Sequence, residues 1–527
     1  MADKYVDHSA TNDGDGTAPT QAGAPGGAGA FNTLAGKSFS DGDVVWLRRK
    51  DKTYGATWTP ATAGVVYVGW PIAGDDYFAT RPAAGTAAGW DADGDTYAEL
   101  SFATSSYYVS VTTTDNQAFH RIRAHQASSS GLTAWYVNSC SPTIKHCVGY
   151  NAAPSIASYG FYLNNSSAVL SDCEGEILST SGSAAGINIS GVIGSAKLYD
   201  CAGLNANETG AAPGISIKAN CLLVRCIGSG QTGPGIYWSA TGPSKHLIDC
   251  TAQSVSGYGI DARGAALVRN LDLAAGRGYY MENTSDFGGS HHIRRLNQTV
   301  AGVAGIWLNG GQVILHVDNA TFAAGNTAAD IIVTAGSLVV LRNAVFQSSP
   351  EILGPCEPGV WSFDHGGTVG AFKAWTKRGV IVSSSAARDG GSASSLQCQA
   401  NVATTPRQEP LLQVGLDPVT LPSGACTVTV YVAHKSYGTP PTQDDLFFEI
   451  DYHDEAGGHR ATGTSRDTAA PALDADASTW TGDSGLTITK LTASITTGQA
   501  CTASLRLFLN AYDAAGYVLV DPRAAVT

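Results

Sequence analysis

Two short patterns of apolar and polar positions alternate through the middle of the chain. The first is glycine, apolar, variable, apolar: Gly160-Phe161-Tyr162-Leu163, Gly186-Ile187-Asn188-Ile189, Gly214-Ile215-Ser216-Ile217, Gly235-Ile236-Tyr237-Trp238 and Gly259-Ile260-Asp261-Ala262. Looser copies follow at Gly278-Tyr279-Tyr280-Met281 and Gly305-Ile306-Trp307-Leu308. The second pattern ends in cysteine: Ile144-Lys145-His146-Cys147, Val169-Leu170-Ser171-Asp172-Cys173, Lys197-Leu198-Tyr199-Asp200-Cys201, Leu223-Val224-Arg225-Cys226 and Leu247-Ile248-Asp249-Cys250. Its cysteines recur every 24–28 residues, and the glycine patterns at 160, 186, 214 and 235 each fall between two of them. Both alternate with a period of two, so each predicts a short strand with one face inward. One such unit cannot bury its apolar side alone, whereas a stack of them can. The pattern therefore predicts a parallel β-helix over residues 115–346. A leucine-rich repeat would need a Leu-x-x-Leu-x-Leu spacing and an Asn ladder, which are absent.

The ends are organised differently. Tyr5-Val6-Asp7 precedes Gly14-Asp15-Gly16-Thr17, then Phe31-Asn32-Thr33-Leu34, then Gly42-Asp43-Val44-Val45-Trp46-Leu47-Arg48. This run resembles the opening of right-handed parallel β-helix proteins of the pectate-lyase-like type, among them bacteriophage tailspikes and other virion surface proteins. The Ala-rich capping helix usual after Phe-x-Thr-Leu in that family does not follow here. Residues 50–114, rich in Trp, Tyr and Asp, read as an irregular insertion capping the first coils, so that 1–114 forms an N-terminal region. Pro350, Gly354 and Pro355 mark a linker at 347–356. Beyond it, runs such as Thr427-Val428-Thr429-Val430-Tyr431-Val432 and Leu505-Arg506-Leu507-Phe508-Leu509 predict an antiparallel, jelly-roll-like β-sandwich over 357–527. The predicted fold class is all-β.

Composition narrows the function classes. Charged residues are 14% and hydrophobic residues 43%, which excludes a disordered chain. A net charge of −13 argues against tracking a phosphate backbone, so nucleic acid is not an expected partner. No apolar run is long enough to span a bilayer, and no secretory signal opens the chain, so a soluble protein made in the host cytoplasm is expected. The 11 cysteines are expected to be reduced.

Candidate chemistry follows from the repeat. If the cysteines point inward, the preceding residues His146, Asp172, Asp200, Arg225 and Asp249 form an outward column. Asp172 and Asp200 then read either as an acid/base pair for glycoside cleavage or as rungs of a solvated Asp/Arg ladder. The stacked cysteines read as small apolar fillers, the alternative being a metal site without the usual Cys-x-x-Cys pair. The variable position of the glycine pattern gives the column Tyr162, Asn188, Ser216, Tyr237, Asp261, Tyr280 and Trp307. Aromatics among amides and carboxylates suit sugar rings, and equally suit a subunit interface. Asp91, Asp93 and Asp95 are spaced to hold Ca²⁺, though no Glu stands at the twelfth loop position, and an acidic turn is the alternative. No other cofactor is expected.

The resemblance and the patterns together imply a structural protein of the bacteriophage virion, such as a tailspike, tail fibre or head spike. It is expected to be a homotrimer that joins other virion proteins through its N-terminal region and presents a surface to host polysaccharide. A polysaccharide-cleaving enzyme and a bacterial surface adhesin are the alternatives.

Overall fold

The computed structural model describes residues 2–527 except 19–23, 25, 49–51, 55, 71–96, 103–108, 113–114, 128–132, 154–157, 182, 193, 240–244, 265, 283–287, 310–311, 334–336, 348–351, 354–355, 366–367, 377–378, 392–394, 401–411, 438–440, 442–444, 454–458, 465–473, 498–499 and 510–514. Among the described residues every regular element is a strand. None is a helix long and apolar enough to cross a membrane. The chain divides into two compact units, Met1–Tyr279 and Tyr280–Thr527.

The first unit is a parallel β-solenoid with three strands per coil. One coil runs Thr143–Lys145, Val148–Asn151 and Tyr159–Asn164, and the next runs Val169–Ser171, Glu174–Ile177 and Ala185–Ser190. Equivalent strands pair in parallel, with Ile144 opposite Leu170, Gly149 opposite Gly175 and Phe161 opposite Ile187. The three stacks are called here the first, second and third faces. On the first, Ile144, Leu170, Leu198, Leu223 and Leu247 stack inward and are fully buried. Each contributes about 1.5–3 kcal/mol by leaving water.

The recurring glycines have a steric cause. A Cβ at Gly160 would lie 2.6 Å from the carbonyl oxygens of both Gly149 and Gly186 and 2.7 Å from the Gly175 Cα. The second and third faces thus meet backbone to backbone, and only glycine fits. The Cys residues lie inside, as the pattern required: Cys147, Cys173, Cys201, Cys226 and Cys250 are all buried. Burial pushes the Cys147 thiol up to about 12, so it stays protonated and donates weakly to the Lys145 carbonyl at 3.3 Å.

The described parts of 50–114 form strands where an irregular insertion was expected, while residues 71–96, the core of that expected insertion, lie outside the described residues. Val44–Arg48 pairs in parallel with Val66–Trp70, and Lys52–Tyr54 pairs with Ala98–Phe102. These are regular coils, and their aromatics fill the interior: Tyr67 stacks on Phe119 with centroids 5.3 Å apart, and Tyr54 on Phe102 at the same distance. Large rings replace the aliphatic pattern here, which hid the alternation. Asp91, Asp93 and Asp95 lie outside the described residues.

In the second unit, parallel pairing continues through Gly288–Asn297, Gln312–Thr321, Leu338–Phe346 and Cys356–His365. The last of these strands is parallel to Leu338–Phe346 on one side and antiparallel to Thr368–Thr376 on the other. Beyond it lie the two antiparallel sheets of the C-terminal sandwich. One is centred on Cys501–Leu509, between Leu412–Leu421 and Leu446–His453. The other is centred on Gly424–Lys435, between Thr487–Thr497 and Tyr517–Val520.

Candidate functional site

The first and second faces join at a single residue per coil, held in the left-handed conformation. These residues are Arg121, His146, Asp172, Asp200, Arg225, Asp249 and Asn270, with φ between 48° and 54°. The residue before each cysteine is therefore a corner. Asp and Asn tolerate this conformation better than other side chains, which accounts for their recurrence. The corner side chains pair along the axis. The Arg225 guanidinium donates to Asp200 through Nε and Nη2, both at 2.7 Å, while Asn270 donates to Asp249 at 3.1 Å. His146 Nδ1 lies 3.8 Å from Asp172. The hydrogen bond from Arg225 holds the Asp200 carboxyl below its ordinary range. That is opposite to the upward shift a shared proton would produce.

The third face carries the aromatic column. Tyr136, Tyr162, Asn188, Ser216, Tyr237 and Asp261 stand in register. The Tyr162 ring lies 4.8 Å from Tyr159 and 5.5 Å from Tyr136, centroid to centroid. Beside them Asn164 donates to Asn138 at 2.9 Å, and Ser190 donates to Asn164 at 3.2 Å. Asn188 is only 2% exposed, and its Oδ1 has no partner among the described residues. Arg263 pairs with Asp261 at 3.3 Å and lies over the Tyr237 ring. In the second unit Tyr280 and Trp307 meet edge to face at 5.1 Å.

The second face holds a group that the sequence patterns did not single out. Its outward positions stand in two adjacent columns, Glu99–Arg123–Val148–Glu174 and Ser101–His125–Tyr150–Glu176. His125 Nδ1 and Ser101 Oγ each lie 3.0 Å from Glu99 Oε1. The Arg123 Nη1 is 3.7 Å from Glu99, and its guanidinium lies over the Tyr150 ring at 5.4 Å. The rings of His125 and Tyr150 are 4.9 Å apart. The two shifted carboxyl groups move in opposite directions. The bond from His125 holds Glu99 below its ordinary value, whereas burial and then the neighbouring Glu174 raise Glu176. Opposed shifts on one face are what separates an acid from a base.

This cluster escaped the sequence reading because it does not repeat. The signal existed in register: Glu99-x-Ser101, Arg123-x-His125, Val148-x-Tyr150 and Glu174-x-Glu176 occupy the same two positions of successive coils. Alignment by coil, rather than by motif, exposes it.

No protein-family model matches the chain, and no curated protein sequence matches it. Among solved structures, the enzymatically active domain of tailspike protein 4 of bacteriophage CBA120 is similar at 10% identity and TM-score 0.24. The match covers 81% of this chain but only 64% of that one. The CBM22-1 xylan-binding domain of Paenibacillus barcinonensis Xyn10C is similar at 19% identity and TM-score 0.15, over 29% of this chain and 96% of that domain.

Proposed function

We propose that the chain is a surface protein of a bacteriophage virion whose solenoid engages host-cell polysaccharide on its second face. The reading is supported by the resemblance of residues 5–48 to the opening of virion β-helix proteins and by the solenoid fold. The observation that carries it is the convergence of Glu99, Arg123, His125, Tyr150, Glu174 and Glu176 on one half-exposed surface. An aromatic ring framed by charged and hydrogen-bonding groups is the chemistry that holds a sugar ring. Binding of purified chain to capsular polysaccharides tests it. Tyr150→Ala is expected to weaken binding about tenfold, and Asp200→Asn at the corner to leave it unchanged. The reverse pattern would move the site to the corner.

The raised Glu176 carboxyl, beside Glu174 on the same strand, favours a second reading, glycoside cleavage. Glu176 is the proton donor, and Glu174, two residues along the same strand and about 6.7 Å away along the backbone, is its carboxylate partner. Release of reducing ends tests this, and equal release by wild type and Glu176→Gln would sink it. The corner residues Asp172 and Asp200 have no role in this scheme. In both readings the shaft is a homotrimer, tested by sedimentation of the purified chain, and its place on the particle is tested by labelling whole virions. The third-face residues Tyr162, Tyr237 and Asp261, and Tyr280 and Trp307 in the second unit, supply further sugar-stacking or subunit-contact surface.

A further inference from the structure

The described arginines of this protein are not equally occupied. Arg225 fills its fork on Asp200 with two bonds of 2.7 Å, and Arg388 closes on the buried Asp521 at 2.8 Å. Arg123 makes no hydrogen bond to any described residue. Its nearest carboxylate oxygen is 3.7 Å away, beyond bonding distance, and its Nε is buried without an acceptor. His125 and Ser101 hold Glu99 through Oε1, and its Oε2 faces Arg123 from 3.7 Å without a hydrogen bond. The Tyr150 ring lies 5.4 Å from the guanidinium, centroid to carbon, while about a third of the Arg123 side chain, 36%, stays open to solvent.

A half-exposed guanidinium that makes no hydrogen bond to a described residue and has only a loose ion pair at 3.7 Å can receive a planar or tetrahedral oxyanion, because two parallel N–H bonds match that geometry. A sugar hydroxyl satisfies one donor and leaves the charge uncompensated. Glu176 stands in the adjacent column one coil beyond Tyr150, half-buried and without a hydrogen bond to any described residue. In its protonated form it can donate to the second edge of the same anion. The neighbouring Glu99 and Glu174 discourage any anion that does not engage both groups.

We infer that the polysaccharide engaged on the second face carries an oxyanion, a sugar carboxylate or a phosphodiester, that closes on Arg123. This rests on the second face being the glycan surface. The test uses the full chain against capsular polysaccharides with neutral, uronate-bearing and phosphodiester-linked repeats, at low and at high salt. Bound polymers are expected to carry an oxyanion, and the repeat chemistry of those retained distinguishes carboxylate from phosphate. Arg123→Gln is expected to weaken binding about tenfold to a hundredfold. Arg123→Lys is expected to recover part of that loss, and the salt dependence is expected to shrink in the Gln variant. Thermal unfolding of each variant separates lost binding from lost fold. A neutral polymer bound equally by wild type and Arg123→Gln overturns the inference and leaves the glycan surface standing. Binding to none of the polymers overturns both.

Discussion

The corner column and the second face lie side by side on the same coils, and both are rich in charge. On the corner the close contacts are hydrogen bonds, Arg225 on Asp200 and Asn270 on Asp249. On the second face such bonds are incomplete. Glu99 is crowded by His125 and Ser101, while Arg123 and Glu176 bond to no described residue. The corner residues recur because the backbone demands residues that tolerate positive φ. The second-face residues follow no such demand. In a solenoid, a residue type that returns every coil reports architecture, and chemistry is to be sought among those that do not.

The contrast can be broken most severely at the scaffold both surfaces share. Gly186→Ala puts a Cβ within 2.4 Å of the Gly175 carbonyl oxygen and the Leu204 nitrogen. It is expected to cost about 3 kcal/mol or more, read from denaturant unfolding, and to remove both surfaces together. Next comes Glu176→Gln. If the face cleaves glycosides, activity is expected to fall about 10²–10⁴-fold with no loss of melting temperature, whereas Asp172→Asn and Asp200→Asn leave activity intact. At the corner, Asp200→Val is expected to cost about 1–2 kcal/mol through its left-handed backbone, and Asp200→Asn almost nothing. A costless valine would remove the backbone explanation for the recurring Asp.

The smallest effects lie in pH. Glu99 is lowered on folding, so its contribution is present above its ordinary value of 4.5 and is lost as pH falls. Glu176 is raised, so its contribution is present below 4.5 and is lost as pH rises. Glu99→Gln should therefore lower stability at neutral pH and Glu176→Gln should slightly raise it, as thermal melts across the acid range would show. Inside the coils Cys147 is raised from 9.0 to about 12, so stability is full below pH 9 and declines above it. Cys147→Ala should flatten that alkaline decline.

Much of this molecule was legible as text. The glycine and cysteine patterns located two of the three strands of each coil and their inward face from Ile144 to Ala262, because a solenoid writes its geometry once per coil; the second-face strands, such as Glu174–Ile177, were not among them. The antiparallel strands of the C-terminal region were also expected, but the linker expected at 347–356 contains Ile352–Leu353, paired in parallel with Ile331–Val333, and Cys356–His365 is still parallel to Leu338–Phe346 on one side. Three further things were not legible. The strands Lys52–Tyr54, Val66–Trp70 and Ala98–Phe102 looked irregular because Tyr54, Tyr67 and Phe102 fill the interior with rings in place of aliphatics. The left-handed φ of Asp172 and Asp200 was hidden, since an outward Asp reads alike as a catalyst or a corner.

The third was the second-face cluster. Alternation alone determined which residues point outward, since side chains on a strand change sides at every step. It did not determine which outward residues meet, because that depends on the register of coils some 25 residues apart. Only the stacked structure brings Glu99, Arg123, Tyr150 and Glu176 onto one surface. Only their contacts there show that Arg225 is hydrogen-bonded to its carboxylate while Arg123 stands 3.7 Å from its own.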